Sequence, residues 1–182
     1  MATEHNYYQS LYEVAAVVNS ARTPEGVLQS IVETVAKAMG AKGCALMLLT
    51  PDRKLLLHTA AYGLSDWYVQ KGRISADKSI SETLEGKPVI VLDATKDKRI
   101  QYQLEAKREG VTSILSVPTM LREEIIGVIR VYTAELFHFT TEDIHFVSAV
   151  ANLGAIALEN ARLYDSLQRD YDALKRYYFP FL

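Results

Sequence analysis

The chain has 182 residues, enough for one domain with a full core and a projecting element. With 49% apolar and 23% charged residues it has the balance of a soluble globular protein, and a net charge of −2 gives no electrostatic case for nucleic acid or an anionic membrane. A single cysteine, Cys44, excludes an intrachain disulfide, a Cys-rich zinc site and an iron–sulfur cluster built from this chain alone.

Met1-Ala2-Thr3-Glu4-His5 lacks the basic start and apolar stretch of a signal peptide, and no apolar run is expected to reach membrane-spanning length. The expected compartment is the cytoplasm, and any membrane anchor would lie outside this sequence. Residues Asn6 to Ala21 read as a helix, with Tyr7, Tyr8, Leu11, Val14, Ala15 and Val18 on one face. Thr23 and Pro24 restart the chain as N-cap and first helical residue. The second helix turns Val27, Leu28, Ile31, Val35 and Met39 inward and stops at Gly40. Cys44 to Thr50 is a continuous apolar run, short enough for a strand covered on both faces. Pro51-Asp52 supplies a turn, and Leu55 to Tyr62 returns as the second strand of a hairpin.

Gly63 to Lys87 is less regular, with one or two helical turns over Leu64 to Gln70 and a short helix over Ser79 to Glu85, closed by Gly86. Pro88 to Leu92 reads as a short strand, with proline at its start where a missing N–H is tolerated. Asp93 to Arg99 is a charged loop, and Gln101 to Glu109 a helix that stops at Gly110. Thr112 to Leu121 and Ile125 to Thr133 are strands joined by Arg122-Glu123-Glu124. That turn has no Gly or Asn, so a loop built on a type I turn is expected rather than a tight primed one. Thr140 caps a long last helix whose positive first turn holds Glu142 and Asp143. Antiparallel pairs with helices at both ends of the chain predict an α+β sandwich.

The last helix carries a second pattern. Phe146, Val150, Leu153, Ala157, Asn160, Tyr164, Leu167, Tyr171, Leu174, Tyr178 and Phe181 alternate in steps of four and three, the a/d rule of a coiled coil. The first half must also pack on the domain. The second half, from Tyr164, has no remaining chain to cover it and is expected to pair in parallel with a second copy. Asn160 falls at a core position, where a buried amide pair can fix register. Pro180 would disturb the helix just beyond Tyr178. The expected organisation is an N-terminal helix over 1–22, a domain over 23–160 and a dimerising helical extension over 161–182.

This order of elements, with several local stretches, resembles a GAF domain, the small-molecule-sensing module of signalling proteins. The likeness rests on Gly40 to Leu49, Ala60-Ala61-Tyr62-Gly63-Leu64, Pro88 to Asp93 with Asp97-Lys98-Arg99, Gly110 to Pro118, and Ile125-Ile126-Gly127-Val128-Ile129. The run Phe139 to Asp143 followed by Ala155 to Tyr164 carries the strongest part of it. The resemblance implies a central antiparallel sheet, with the terminal helices on one face and a ligand-pocket segment on the other. Gly127 is expected where a side chain would collide with a neighbouring helix or strand. Ala155, Ala157 and Ala161 are expected to let the last helix approach closely.

Catalytic patterns are absent from the sequence. His5, His58, His138 and His145 form no metal-ligand pair on one helix face and adjoin no nucleophile motif. They read as surface or edge histidines, with His58 a hydrogen-bonded strand residue, the one placed near the core where a haem ligand would be needed. Cys44 reads as a small buried hydrophobe. Bilin-holding GAF domains use cysteines in other settings, and those that reduce methionine sulfoxide need several. The cyclic-nucleotide signature is incomplete: Phe139 and Asp143 have its last spacing, Ile144 replaces its glutamate, and its Asn-Lys pair is missing. No enzymatic activity is expected of this segment.

By the resemblance, the pocket lies on the sheet face away from the terminal helices. Tyr62, Trp67, Tyr68, Ile80, Thr83, Asp93, Arg99, Tyr102, Ser113, Leu115 and Val117 are expected to line or cover it. Arg99 could hold a carboxylate or phosphate. In the competing reading the aromatics fill the pocket and Arg99 pairs with Asp93. The expected function is a dimeric sensor passing the state of the pocket through the last helix to an output domain such as a histidine kinase or cyclase. The alternatives are a ligand-free dimerisation module and, more distantly, a small redox or hydrolytic enzyme.

Overall fold

The computed structural model describes residues 7–19 and 23–178. His5, Asn6, Ala21, Pro180 and Phe181, named above, lie outside the described residues, as does the side chain of Tyr178. Helices α1 (Tyr7–Val18) and α2 (Pro24–Ala38) lead into strands β1 (Gly43–Leu49) and β2 (Leu55–Tyr62). The short elements α3 (Asp66–Val69) and β3 (Ile74–Ser75), a 3₁₀ turn Ser81–Glu85, β4 (Val89–Val91) and α4 (Gln103–Glu109) follow. Strands β5 (Ser113–Leu121) and β6 (Glu124–Thr133) and the long helix α5 (Thr141–Tyr178) complete the chain. The strands form one six-stranded antiparallel sheet in the order β3-β2-β1-β6-β5-β4. The fold is α+β, as expected. The two-residue strand β3 was not read from sequence.

One face of the sheet is covered by α1, α2 and α5. Leu28, Ile31, Val32 and Val35 of α2 and Phe146, Val147, Val150 and Ala151 of α5 meet Cys44, Leu46, Leu115, Val117, Ile129 and Val131. These side chains are all but fully buried, and removing each large one from water contributes about 1.5–3 kcal/mol. The caps fix where these helices begin. Thr23 Oγ1 accepts from Gly26 N at 3.3 Å with Pro24 in the first turn. Thr140 and Asp143 form a reciprocal capping pair, Thr140 N to Asp143 Oδ2 at 2.7 Å and Asp143 N to Thr140 Oγ1 at 3.2 Å. Helix α1 docks on that same turn: Tyr7 stacks on Phe146 at 4.2 Å and donates its hydroxyl to Asp143.

The opposite face is covered by α3, the 3₁₀ turn, α4 and the loops that join them, over a second cluster with Ala45, Tyr68, Ile80, Val91, Ile100, Ile114 and Tyr132. Two irregularities decide what each strand shows to which face. Leu46 pairs with Ala60 but Met47 with His58, so Thr59 is an extra residue that shifts the alternation of β2. The β5–β6 turn is tight: Leu121 pairs with Glu124, leaving only Arg122 and Glu123 between them. This corrects the expected longer loop. Arg122 supplies the positive φ, 57°, that a primed two-residue turn needs.

Helix α5 is, among the described residues, the one helix long and apolar enough to cross a membrane, which corrects the reading that no segment reaches that length. Its apolar content is concentrated in the first half, where Phe146, Val147, Val150, Ala151 and Ala155 are buried against the domain.

Gly127 sits opposite Leu48 where β6 pairs with β1, and a Cβ there would lie 2.2 Å from Met47 O. Backbone cannot yield as a side-chain tip can, so Gly127→Ala is expected to destabilise the domain by roughly 2 kcal/mol or more. Urea unfolding checks this; a midpoint equal to wild type would show that the strands part freely there.

Candidate functional site

The central pair β5–β6 brings a charge into the second cluster. Arg130 lies between Val128 and Tyr132 on the covered face and pairs across the sheet with Ser116 on one side and Ala45 on the other. These two small neighbours leave space for its side chain. Arg130 is only 4% exposed. Its Nε donates to Ser116 Oγ at 3.3 Å, and its terminal nitrogens donate to Ser79 Oγ at 3.1 Å and Ser79 O at 2.7 Å. Tyr132 also bonds it. Each of these partners is neutral, and among the described residues no carboxylate pairs with Arg130.

A second cation stands beside it. Lys71, just beyond α3, donates from Nζ to Tyr68 O at 2.8 Å and lies 3.7 Å from the centre of the Tyr68 ring and 5.8 Å from that of Tyr102. Burial, reinforced by the charge of Arg130, lowers the Lys71 ammonium to about 8. Burial likewise raises Tyr132 to about 12 and holds Tyr68 above its ordinary value. These residues, with Ile74, Ser79, Ile100, Tyr102 and Ile114, enclose a cavity of about 20 Å³, the scale of one water molecule. A larger groove of about 470 Å³ between α1 and α5 is open and lies on the helix side.

The sequence-predicted pocket residues divide by face. Tyr68 and Tyr102 line the cavity, and Ile80 is buried in the same cluster. Thr83 is fully buried in the 3₁₀ turn. Trp67 stands at the rim, edge-on to Tyr68 at 6.0 Å and under the Arg108 guanidinium at 4.6 Å. Tyr62, Leu115 and Val117 belong to the helix-side core, and Ser113 is engaged at the sheet end by Leu92 O and Phe137 N. These four placements are corrections. On β5 the alternation gives the cavity face to Ile114 and Ser116. On β2 the bulge at Thr59 puts His58 on that face and turns Tyr62 away.

Arg99 and Asp93 lie in the outer loop, not in the cavity. Arg99 pairs with Asp97 at 2.6 Å and Glu82 at 3.6 Å, so its predicted pairing with Asp93 is also corrected. Asp93 instead accepts from Lys96 and Thr95, which lowers its carboxyl to about 2. Sequence reading missed Lys71, Ser79, Ser116, Arg130 and Tyr132. A usable signal was present: Arg130 is the one charge within the apolar strand Ile125 to Tyr132, and a charge there must be buried with its partners.

The expectation of a hydrogen-bonded His58 is not met: both ring nitrogens are buried without a protein partner. Burial, with Lys71 and Arg130 nearby, pushes His58 down from 6.5 to about 4. The unfolded chain therefore binds more protons in this window. His58 contributes its full stability above about pH 6.5, and that contribution is lost as pH falls through about 4, by up to about 3 kcal/mol. His58→Leu is expected to be at least as stable as wild type near pH 7 and to lose less stability below pH 6.5. Urea midpoints across that range test this; parallel curves would show that the ring gains a proton as easily folded as unfolded.

Comparison with known proteins adds the lineage. No match was found among curated proteins. Among solved structures, the GAF domain of a phosphoenolpyruvate-protein phosphotransferase from Coxiella burnetii superposes with a TM-score of 0.79 at 23% identity, covering 88% of this chain and 97% of that one. A domain of a putative two-component sensor histidine kinase from Sinorhizobium meliloti gives 0.68 at 15% identity, covering 81% and 99%. The free methionine-R-sulfoxide reductase from Neisseria meningitidis, in complex with its substrate, gives 0.73 at 18% identity, covering 87% and 91%. At these identities the likeness is one of fold. The family model described as GAF domain matches residues 21–159, and the chain therefore belongs to the GAF domain family.

Proposed function

We propose that the chain is a GAF-type sensory domain. It binds a small molecule in the cavity around Arg130 and passes that state through α5, in a homodimer, to an output domain such as a histidine kinase or cyclase. The observation that carries this reading is the change of character along α5. Its first half is core. Beyond Asn160 the same heptad positions stand open: Tyr164 and Leu167 are 68% exposed, Tyr171 61% and Leu174 58%. At 1.5 Å per residue the 38-residue helix is roughly 57 Å long, and its distal half projects an apolar stripe that a second copy would cover.

The cytoplasm is the compartment proposed. Catalysis by this segment has little to work with. Cys44 is fully buried and burial raises its thiol well above the ordinary value, so no thiolate is available. His138 and His145 are exposed and stand apart from it. A ligand-free dimerisation module is the second reading, and the small size of the cavity favours it. The two differ in one respect: a sensor gains thermal stability with a specific small molecule, whereas a spacer dimerises and responds to none.

The dimer is tested by Leu167→Glu with Leu174→Glu. Both residues are exposed in the single chain, so the core should keep its melting temperature. Sedimentation should change from dimer to monomer, with association weakened by about a hundredfold or more. A double variant that still sediments as a full dimer would remove the α5 seam from the proposal.

A further inference from the structure

We propose that the cavity around Arg130 and Lys71 receives the carboxylate group of a small organic acid whose apolar body lies against Tyr68, Tyr102 and Ile74. This rests on the sensory reading and names the chemical class of its ligand.

Charge balance is the first argument. A buried guanidinium is ordinarily held by a carboxylate. Here its partners are Ser79, Ser116 and Tyr132, all neutral. A second, largely buried cation lines the same cavity, held by one carbonyl and by the rings of Tyr68 and Tyr102. Of the two acids that act on Lys71 from α4, Glu109 is already committed to Ser65 N at 2.9 Å, to Ser65 Oγ and to Lys42 at 3.9 Å. Neither Glu105 nor Glu109 forms an ion pair with Lys71 or Arg130 among the described residues. Two cations facing one enclosed space lower the energy of an anion placed there, and a desolvated anion gains most from them.

The walls supply the second argument. Apart from Ser79 and the two cations, the lining is aromatic and aliphatic, so an inorganic anion would bury part of its surface against groups that solvate it poorly. An organic acid matches both halves. Access requires the cover to part. Tyr102 donates its hydroxyl to Arg73 O at 2.9 Å and packs on Gly72, where an added Cβ would lie 2.5 Å from that hydroxyl. Gly72, at φ 143°, holds a backbone conformation that glycine adopts without strain. Lifting it from Tyr102 enlarges the cavity on its apolar side while Arg130, fixed in the sheet, stays in place.

The test follows melting of the full chain at constant ionic strength with sodium 3-methylbutanoate, the neutral 3-methylbutanamide, sodium phosphate and sodium chloride. The carboxylate is expected to raise Tm saturably, by about 5 °C at a hundredfold excess over Kd, with the amide and inorganic salts inert. Lys71→Met should weaken the effect roughly tenfold or more. Lys71 is not part of the sheet, so this variant should fold even if Arg130→Met does not. Binding should also weaken as pH rises through about 8, where free Lys71 loses its proton. Of the groups facing it, Arg130 stays cationic, His58 is already neutral and Tyr68 is held protonated, while Glu105 and Glu109 act on it from α4 without pairing with it. An equal rise with the amide, an equal rise with phosphate, or no response to the carboxylate would each overturn the assignment. Native mass spectrometry separates that outcome from failure of the sensory reading. A retained molecule without an acid group would leave a sensor of another ligand, whereas bare chains with no carboxylate response would remove both.

Discussion

A sheet covered on both faces offers its central strands no solvent, and that constraint governs the rest of this molecule. Each residue of β5 and β6 is assigned by the pleat either to the helix side or to the cavity side. Leu115, Val117, Ile129 and Val131 fill the first. The second must accommodate Arg130, whose charge would remain uncompensated if its surroundings were wholly apolar. The cover above it is accordingly polar where it touches the guanidinium, at Ser79, apolar at Ile80 and Ile100, and carries the second cation at Lys71. The irregular middle of the chain is thus fitted over the buried charge of Arg130 and adds that of Lys71 beside it.

The same two-sidedness links the site to the long helix. Arg130 and Ser116 are paired across β5–β6, and their immediate strand neighbours Leu115, Val117, Ile129 and Val131 pack beneath the helix-side core. Close packing means such strands do not deform smoothly. On the proposed reading, a ligand that draws Arg130 toward a new partner acts one residue away from the side chains that seat α5. It can bias α5 only to the extent that it binds one packing better than another.

Much of this was legible in the sequence because it rests on local chemistry. Thr23-Pro24, Gly40, Gly86, Gly110 and Thr140 mark element ends through capping and positive φ, and each sits at such an end. Gly127 has the backbone contact expected of it. The illegible part was facing. The bulge at Thr59 inverts the side of Tyr62 with no residue in β2 that announces it. The apolar run from Ile114 to Val117 carries no alternation, because both faces are buried, so it does not disclose which side holds the site. The turn at Arg122 was misread because its left-handed residue is an arginine, held there by pairing on both sides of it.

Arg130 also explains why the candidate site could not be assembled from the loop residues that first suggest a pocket. Arg99 is the more conspicuous cation, sitting among acids and hydroxyls, but that abundance of partners is what disqualifies it. It is half exposed and fully engaged by Asp97, Glu82 and Ile90 O, so a ligand would have to displace bonds already made in water. Arg130 has the opposite balance. Its desolvation is already complete in the folded chain, and among the described residues no carboxylate supplies its counter-charge. An anion arriving there gains the interaction without the protein having to be stripped of solvent again, which is the condition under which a single buried charge can dominate recognition.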